Sequence, residues 1–138
     1  MSDNLIQVEA VKNIFDLMEK NPQIGIIFPK VYKPLKDICI KNFVVQEGAF
    51  NEIEMINSLI FKMGFNRTYS YNSLVFSEGT MFWYVPKALK NLFDLNLDYS
   101  DFPEEPIGVG GTIAHAIERL PAFVCQENGY KCQIYNRY

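Results

Sequence analysis

Cysteine is scarce in this 138-residue sequence, and the three that occur, Cys39, Cys125 and Cys132, share no CxxC spacing. A disulfide framework or a structural zinc knot needs more of them at closer intervals, so neither is expected. Histidine and tryptophan appear once each, as His115 and Trp83. One imidazole without a second nitrogen or sulfur ligand makes a poor metal site. Charge of one sign is lacking too. The net value of −3 gives no electrostatic reason to expect nucleic acid or an anionic membrane as partner. Lys30, Lys33 and Lys36 make a modest basic cluster that reads as a solvated loop. No apolar run reaches ~18 residues, and MSDNLIQVEAVK lacks the basic-then-apolar order of a secretion signal. The expectation is reduced thiols, no integral membrane segment and a cytoplasmic location, with peripheral attachment at the inner face of the membrane as the alternative. Also missing are GxGxxG, a Walker loop, a GxSxG elbow and HExxH. Nor is there an Asp-x-Asp pair of the kind that holds a metal-bound nucleotide diphosphate.

What remains is globular. With 49% hydrophobic and 14% aromatic residues the chain lies outside the disordered range. Its length suits one domain, 1–138, able to bury roughly two-thirds of its unfolded surface. No internal repeat or linker divides it. Residues 5–19 place Val8, Val11, Ile14, Phe15 and Met18 on one helical face, and Asn21-Pro22 stops that helix. Ile24 to Phe28 is an apolar strand too continuous for an edge with one wet face, and Pro29 ends it. A helix running into a buried strand is an α/β pattern. Residues 29–48 read as a long connection. Residues 50–63 form a second amphipathic helix with Ile53, Ile56, Leu59, Ile60 and Met63 inside and Gly64 as its cap. Phe65 to Tyr71 reads as surface connection.

The stretch from Phe76 to Leu120 is richest in chemistry. Ser73 to Phe76 and Thr80 to Tyr84 read as short strands about a turn at Gly79. Pro86 opens a short helix, Lys87 to Phe93, whose buried face is Leu89, Leu92 and Phe93. An acidic loop follows, with Asp94, Asp98, Asp101, Glu104 and Glu105 between stiffening prolines. Gly108, Gly110 and Gly111 precede a helix from Thr112 to about Val124, with Thr112 as its side-chain cap and Pro121 able to kink it. Gly129 ends it, and Tyr130 to Tyr135 forms a closing strand.

Each candidate side chain has two readings. A loop carboxylate beside a helix start can serve as general base for a sugar hydroxyl or bind a cation, or it can simply be solvated. Thr112, His115 and Arg119 share one side of a helix, set opposite its apolar stripe. His115 can act as acid or base or bond neighbouring backbone. Arg119 can fork onto a diphosphate or pair within the domain beside Glu118. Phe82-Trp83-Tyr84 alternates across a strand, so Trp83 points away from its neighbours, either stacking on a sugar ring or packing in the core.

FSEGTMFWYVPKALKNLF, followed by DFPEEP and GGTIAHAIERL, resembles the C-terminal half of the rhamnan synthesis protein F family, and NPQIGIIFPKV resembles the segment upstream. These are bacterial glycosyltransferases associated with rhamnose-containing cell-wall and lipopolysaccharide glycans. The resemblance implies an α/β fold, a partial GT-A-like glycosyltransferase domain with a mixed sheet and flanking helices. It implies transfer of a sugar from a nucleotide diphosphate donor to a glycan hydroxyl. Under it, Glu104, Glu105 and Asp101 are candidate bases, with His115 as a further catalytic candidate. Trp83, Thr80, Thr112 and Arg119 are candidate substrate contacts. The expected ligands are a nucleotide sugar and a glycan acceptor. The chain resembles the acceptor half alone, so a donor-half protein or self-association is expected, and a divalent cation belongs to the complete enzyme rather than to this chain. One departure stands out: the family favours Asp before Gly-Thr, where this chain has Gly110. The alternative is a non-catalytic glycan-binding or interaction module derived from such an enzyme.

Overall fold

The computed structural model describes residues 7–29, 50–70, 80–107 and 111–135. The connection after Pro29, with its lysines and Cys39, lies outside them, as do the expected strand at Ser73–Phe76 and Gly79. The described residues form a mixed α/β arrangement around one three-stranded sheet.

Strand β1, Ile24–Pro29, is the centre of that sheet, with residues 24–28 all buried. Branched aliphatic side chains on both faces suit a strand covered on both sides. The strand order is β2-β1-β3. β2, Trp83–Tyr84, runs antiparallel to β1, whereas β3, Lys131–Tyr135, runs parallel to it. A register irregularity between Ile24 and Ile26 acts as a bulge. It lets Ile24 and Ile27 share one face while Ile26 and Phe28 take the other. Gly25 sits at this bulge because nothing larger fits. A Cβ there would stand 2.6 Å from the Tyr130 Cβ and 2.7 Å from both the Ala88 Cβ and the Cys125 Sγ.

One face of the sheet carries α1, Val8–Lys20. Ala10 and Ile14 are buried there against Ile24, Ile27 and Tyr135, with Leu17, Met18 and Trp83 packed around them. This corrects the expected stripe: Val8 is 77% exposed and Phe15 57% exposed. The reason is angular. Ala10 is the small residue that lets the helix approach the sheet, and Val8, two residues away at 100° per step, then points to the far side. Asn21 ends the helix, its side chain donating to the Leu17 carbonyl at 2.8 Å.

The other face carries α2, Phe50–Lys62, and α4, Ile113–Glu127, with α3, Lys90–Phe93, between β2 and α4 in the chain. Ile56, Leu59 and Ile60 of α2, with Met63 just after it, meet Ala116, Leu120, Phe123 and Val124 of α4 in the main core, joined by Ile26 and Phe28 from β1. Gly64, at φ +89, closes α2 in the conformation that glycine alone adopts freely. A 3-10 turn, Pro86–Leu89, leads into α3 and buries Ala88 and Leu89. Phe93, expected inside, is 55% exposed. The shorter 3-10 repeat brings Ala88 to the core instead and turns Phe93 outward.

Two further expectations change. Helix α4 runs through Pro121 to Glu127, past the expected end near Val124, and buries residues 120–125 without a break. The segment 65–70 is not simply surface, since Tyr69 is buried against Phe123 at a ring-centroid distance of 4.2 Å. Asn57 on α2 pins it, donating to the Tyr69 carbonyl at 2.9 Å and accepting from the Tyr69 amide at 2.7 Å. Among the described residues, no helix is long and apolar enough to cross a membrane.

Candidate functional site

The N-terminal half of α4 gathers several of the expected polar groups. Gly111, at φ +78, turns the chain so that Thr112 takes an extended N-cap conformation. The Thr112 carbonyl accepts the first helical bond, from the Ala116 amide at 3.1 Å. Its hydroxyl does not cap a backbone amide, as the sequence led one to expect. It lies 2.7 Å from Nδ1 of His115, one turn along the helix. Which of the two donates follows from the imidazole tautomer.

Arg119 lies one further turn along. Its Nη1 donates to the His115 carbonyl at 3.0 Å and to Oε2 of Glu118 at 3.3 Å. Only 11% of the Arg119 side chain is exposed, against 34% for Glu118. The reason is again angular: Arg119 stands 100° from fully buried Leu120, so the polar side flanks the apolar stripe and does not oppose it. A guanidinium this enclosed needs its hydrogen bonds and its carboxylate, because a desolvated charge without them is costly.

The acidic loop is engaged locally. Asp98 and Asp101 form a capping box on the 3-10 turn Tyr99–Asp101. The Tyr99 amide donates to Asp98 at 2.7 Å, and the Asp98 amide donates to Asp101 at 2.7 Å. Asp94 pairs with Lys90 across one turn. Glu105 accepts from the Ile107 amide at 3.3 Å. Glu104 is exposed, with no hydrogen bond or ion pair among the described residues. Thr80 is exposed at a positive φ of 53.

Trp83 stands apart from α4. It packs with Ile14, Ile24, Ile27 and Tyr135 on the α1 face, with Phe15 edge-on at 5.5 Å. The alternation expected for Phe82-Trp83-Tyr84 holds: Phe82 joins the opposite cluster and meets Tyr84 edge-on at 5.8 Å. The indole packs in the α1-face cluster, whereas α4 packs through Ala116 and Leu120 in the cluster on the other face. Thr112 with His115, and His115 and Glu118 with Arg119, are brought together along α4.

Sequence reasoning missed a second polar group. Tyr69 donates to Glu127 at the end of α4, and Arg67 lies 3.5 Å from the same carboxylate oxygen and 5.3 Å from the Tyr69 ring centre. Burial, with that carboxylate next in effect, pushes the Tyr69 hydroxyl well above the ordinary tyrosine range. Tyr69 and Glu127 are 58 residues apart, so no local pattern signals the pair. Among the described residues, no three His, Cys, Asp or Glu side chains gather as a cation site.

A family model described as rhamnan synthesis protein F matches residues 1–130. Two curated relatives, each an uncharacterized protein WxcX from a strain of Xanthomonas campestris pv. campestris, are 42% identical to it over 55 residues. That stretch is 40% of this chain but 8% of each relative, so the match spans less than a tenth of their length. No solved structure matches.

Proposed function

The chain belongs to the rhamnan synthesis protein F family, and from that premise we propose that it forms the acceptor side of a glycosyltransferase. The family connects it with the synthesis of rhamnan and related polysaccharides. In the proposed reaction a sugar, rhamnose foremost, passes from a nucleotide diphosphate donor to a glycan hydroxyl. The reading is of a partial GT-A-like domain, with the donor-binding half supplied by another chain or by self-association. Any divalent cation would then be held outside this chain.

The observation that carries the proposal is the family match over residues 1–130. The polar cluster on α4 is compatible with it. Arg119 offers a fixed positive charge beside His115 for a phosphate or sugar hydroxyl, and the His115 ring nitrogen remote from Thr112 can exchange a proton. Glu104 and Glu105 remain candidates for the base, whereas Asp101 already serves its own loop. Thr80 and Thr112 are candidate hydroxyl contacts. In this reading the contacts are those of α4, and Trp83, which packs on the α1 face, is not counted among them.

Turnover of nucleotide sugars by the whole chain, alone and with a donor-half protein, tests this reading. Transfer only in the combined sample is expected, and it should fall at least tenfold in His115→Ala. Full transfer by the chain alone would overturn the half-enzyme reading. The local engagement of Asp101 and Glu105 favours a second reading, a glycan-binding module without catalysis. Unchanged glycan affinity in Glu104→Gln and Glu105→Gln, with no transfer in any combination, would establish that one instead.

A further inference from the structure

Two cysteines outside the candidate site meet where α4 returns into β3. Cys125, near the end of α4, is fully buried, and Cys132, the second residue of β3, is partly exposed. Both are free thiols. Their contacts cross. Cys125 Sγ lies 3.7 Å from the carbonyl of Lys131, the residue before Cys132. Cys132 Sγ lies 3.6 Å from the carbonyl of Ala122, one helical turn before Cys125. Each sulfur therefore rests against the other cysteine's own segment.

The surrounding backbone holds them there. The Tyr130 amide donates to the Cys125 carbonyl at 3.0 Å, and Gly129 makes the return at φ +79. Cys132 is registered opposite Ile26 on the central strand. Gly25 leaves room for the Cys125 sulfur that no larger residue would leave. The neighbouring Cys132, with burial second, holds the Cys125 proton well above the ordinary thiol range. The neighbouring Cys125 draws the Cys132 thiol lower, although burial opposes the effect. The more exposed sulfur is thus the better nucleophile.

We propose that Cys125 and Cys132 are a redox-responsive dithiol that closes to an intramolecular disulfide on exchange with a low-molecular-weight disulfide. The Cys132 thiolate attacks one sulfur of that reagent, breaking its S–S bond and expelling one thiolate, which leaves a mixed disulfide on Cys132. Cys125 gives its proton to the expelled thiolate and attacks the Cys132 sulfur, releasing the second half of the reagent as a thiolate, which takes up from solvent the proton that Cys132 lost on ionising. Two cysteine thiols are oxidised by two electrons, and the reagent is reduced to two thiols. The bond formed ties the last turn of α4 to β3 across the six residues between the cysteines.

Equilibrating the native full-length chain with excess oxidised glutathione, followed by alkylation and peptide mapping, tests the proposal. The expected product is a Cys125–Cys132 linkage, opened by dithiothreitol, with Cys39 outside it. Cys125→Ser should stop at a glutathione adduct on Cys132, and Cys132→Ser should form no linkage. Both variants are checked for native circular dichroism. If either fails to fold, the map of the unmutated chain decides. Unlinked Cys125 and Cys132 after equilibration would overturn the proposal, and so would pairing of either one with Cys39 or with a second molecule.

Discussion

At the scale of single residues, Gly25 and Tyr69 make the sharpest demands. Three atoms lie within 2.7 Å of where a Gly25 side chain would begin, two of them Cβ atoms that cannot swing aside. Gly25→Ala should therefore destabilise the fold by about 1–3 kcal/mol or more through overpacking, read as a lower urea midpoint at unchanged slope. Tyr69 carries a pH signature. Its hydroxyl ionises near 10.0 when unfolded and higher when folded, so above pH 10 the folded state holds more protons and stability falls as pH rises. The advantage of the native chain over Tyr69→Phe should be about 1.5–3 kcal/mol at neutral pH, because the bond runs to a carboxylate. Melting curves between pH 8 and 11 should show that advantage shrinking above pH 10. A constant difference would mean that the hydroxyl titrates alike in both states.

At the scale of elements, legibility followed the range of the forces involved. β1 could be read from its unbroken aliphatic run, and α2 from apolar residues at helical spacing ended by Gly64. β3 followed from a glycine stop and a short apolar return. The α1 face was misread because its apolar residues surround much of the helix, and only the sheet decides that small Ala10 goes inward while Phe15 flanks Trp83. Ile14→Ala should accordingly cost about 2–5 kcal/mol, while Val8→Ser should stay within about 0.5 kcal/mol in the same denaturation assay. Comparable losses from both would put the helix face back where the sequence suggested. In α4 the spacing of Thr112, His115 and Arg119 was visible beforehand. The bond between the Thr112 hydroxyl and the imidazole was not, because a threonine at an N-cap ordinarily serves a backbone amide.

For the whole molecule, the layering of helices on both faces of one small sheet decides which expectations about the site survive. Alternation along residues 82–84 told that Trp83 faces away from its neighbours, but not that the helix bearing His115 lies on the neighbours' side. The acceptor-side reading, carried by the family match, is accordingly proposed to use the polar groups of α4. Titration calorimetry of the native chain with rhamnose-containing glycans, repeated on Arg119→Lys and Trp83→Phe, tests this most directly. Arg119→Lys keeps the charge and removes the planar fork, so affinity should fall about tenfold, or about 1.4 kcal/mol, while Trp83→Phe leaves it unchanged. Affinity lost in Trp83→Phe and retained in Arg119→Lys would contradict the account.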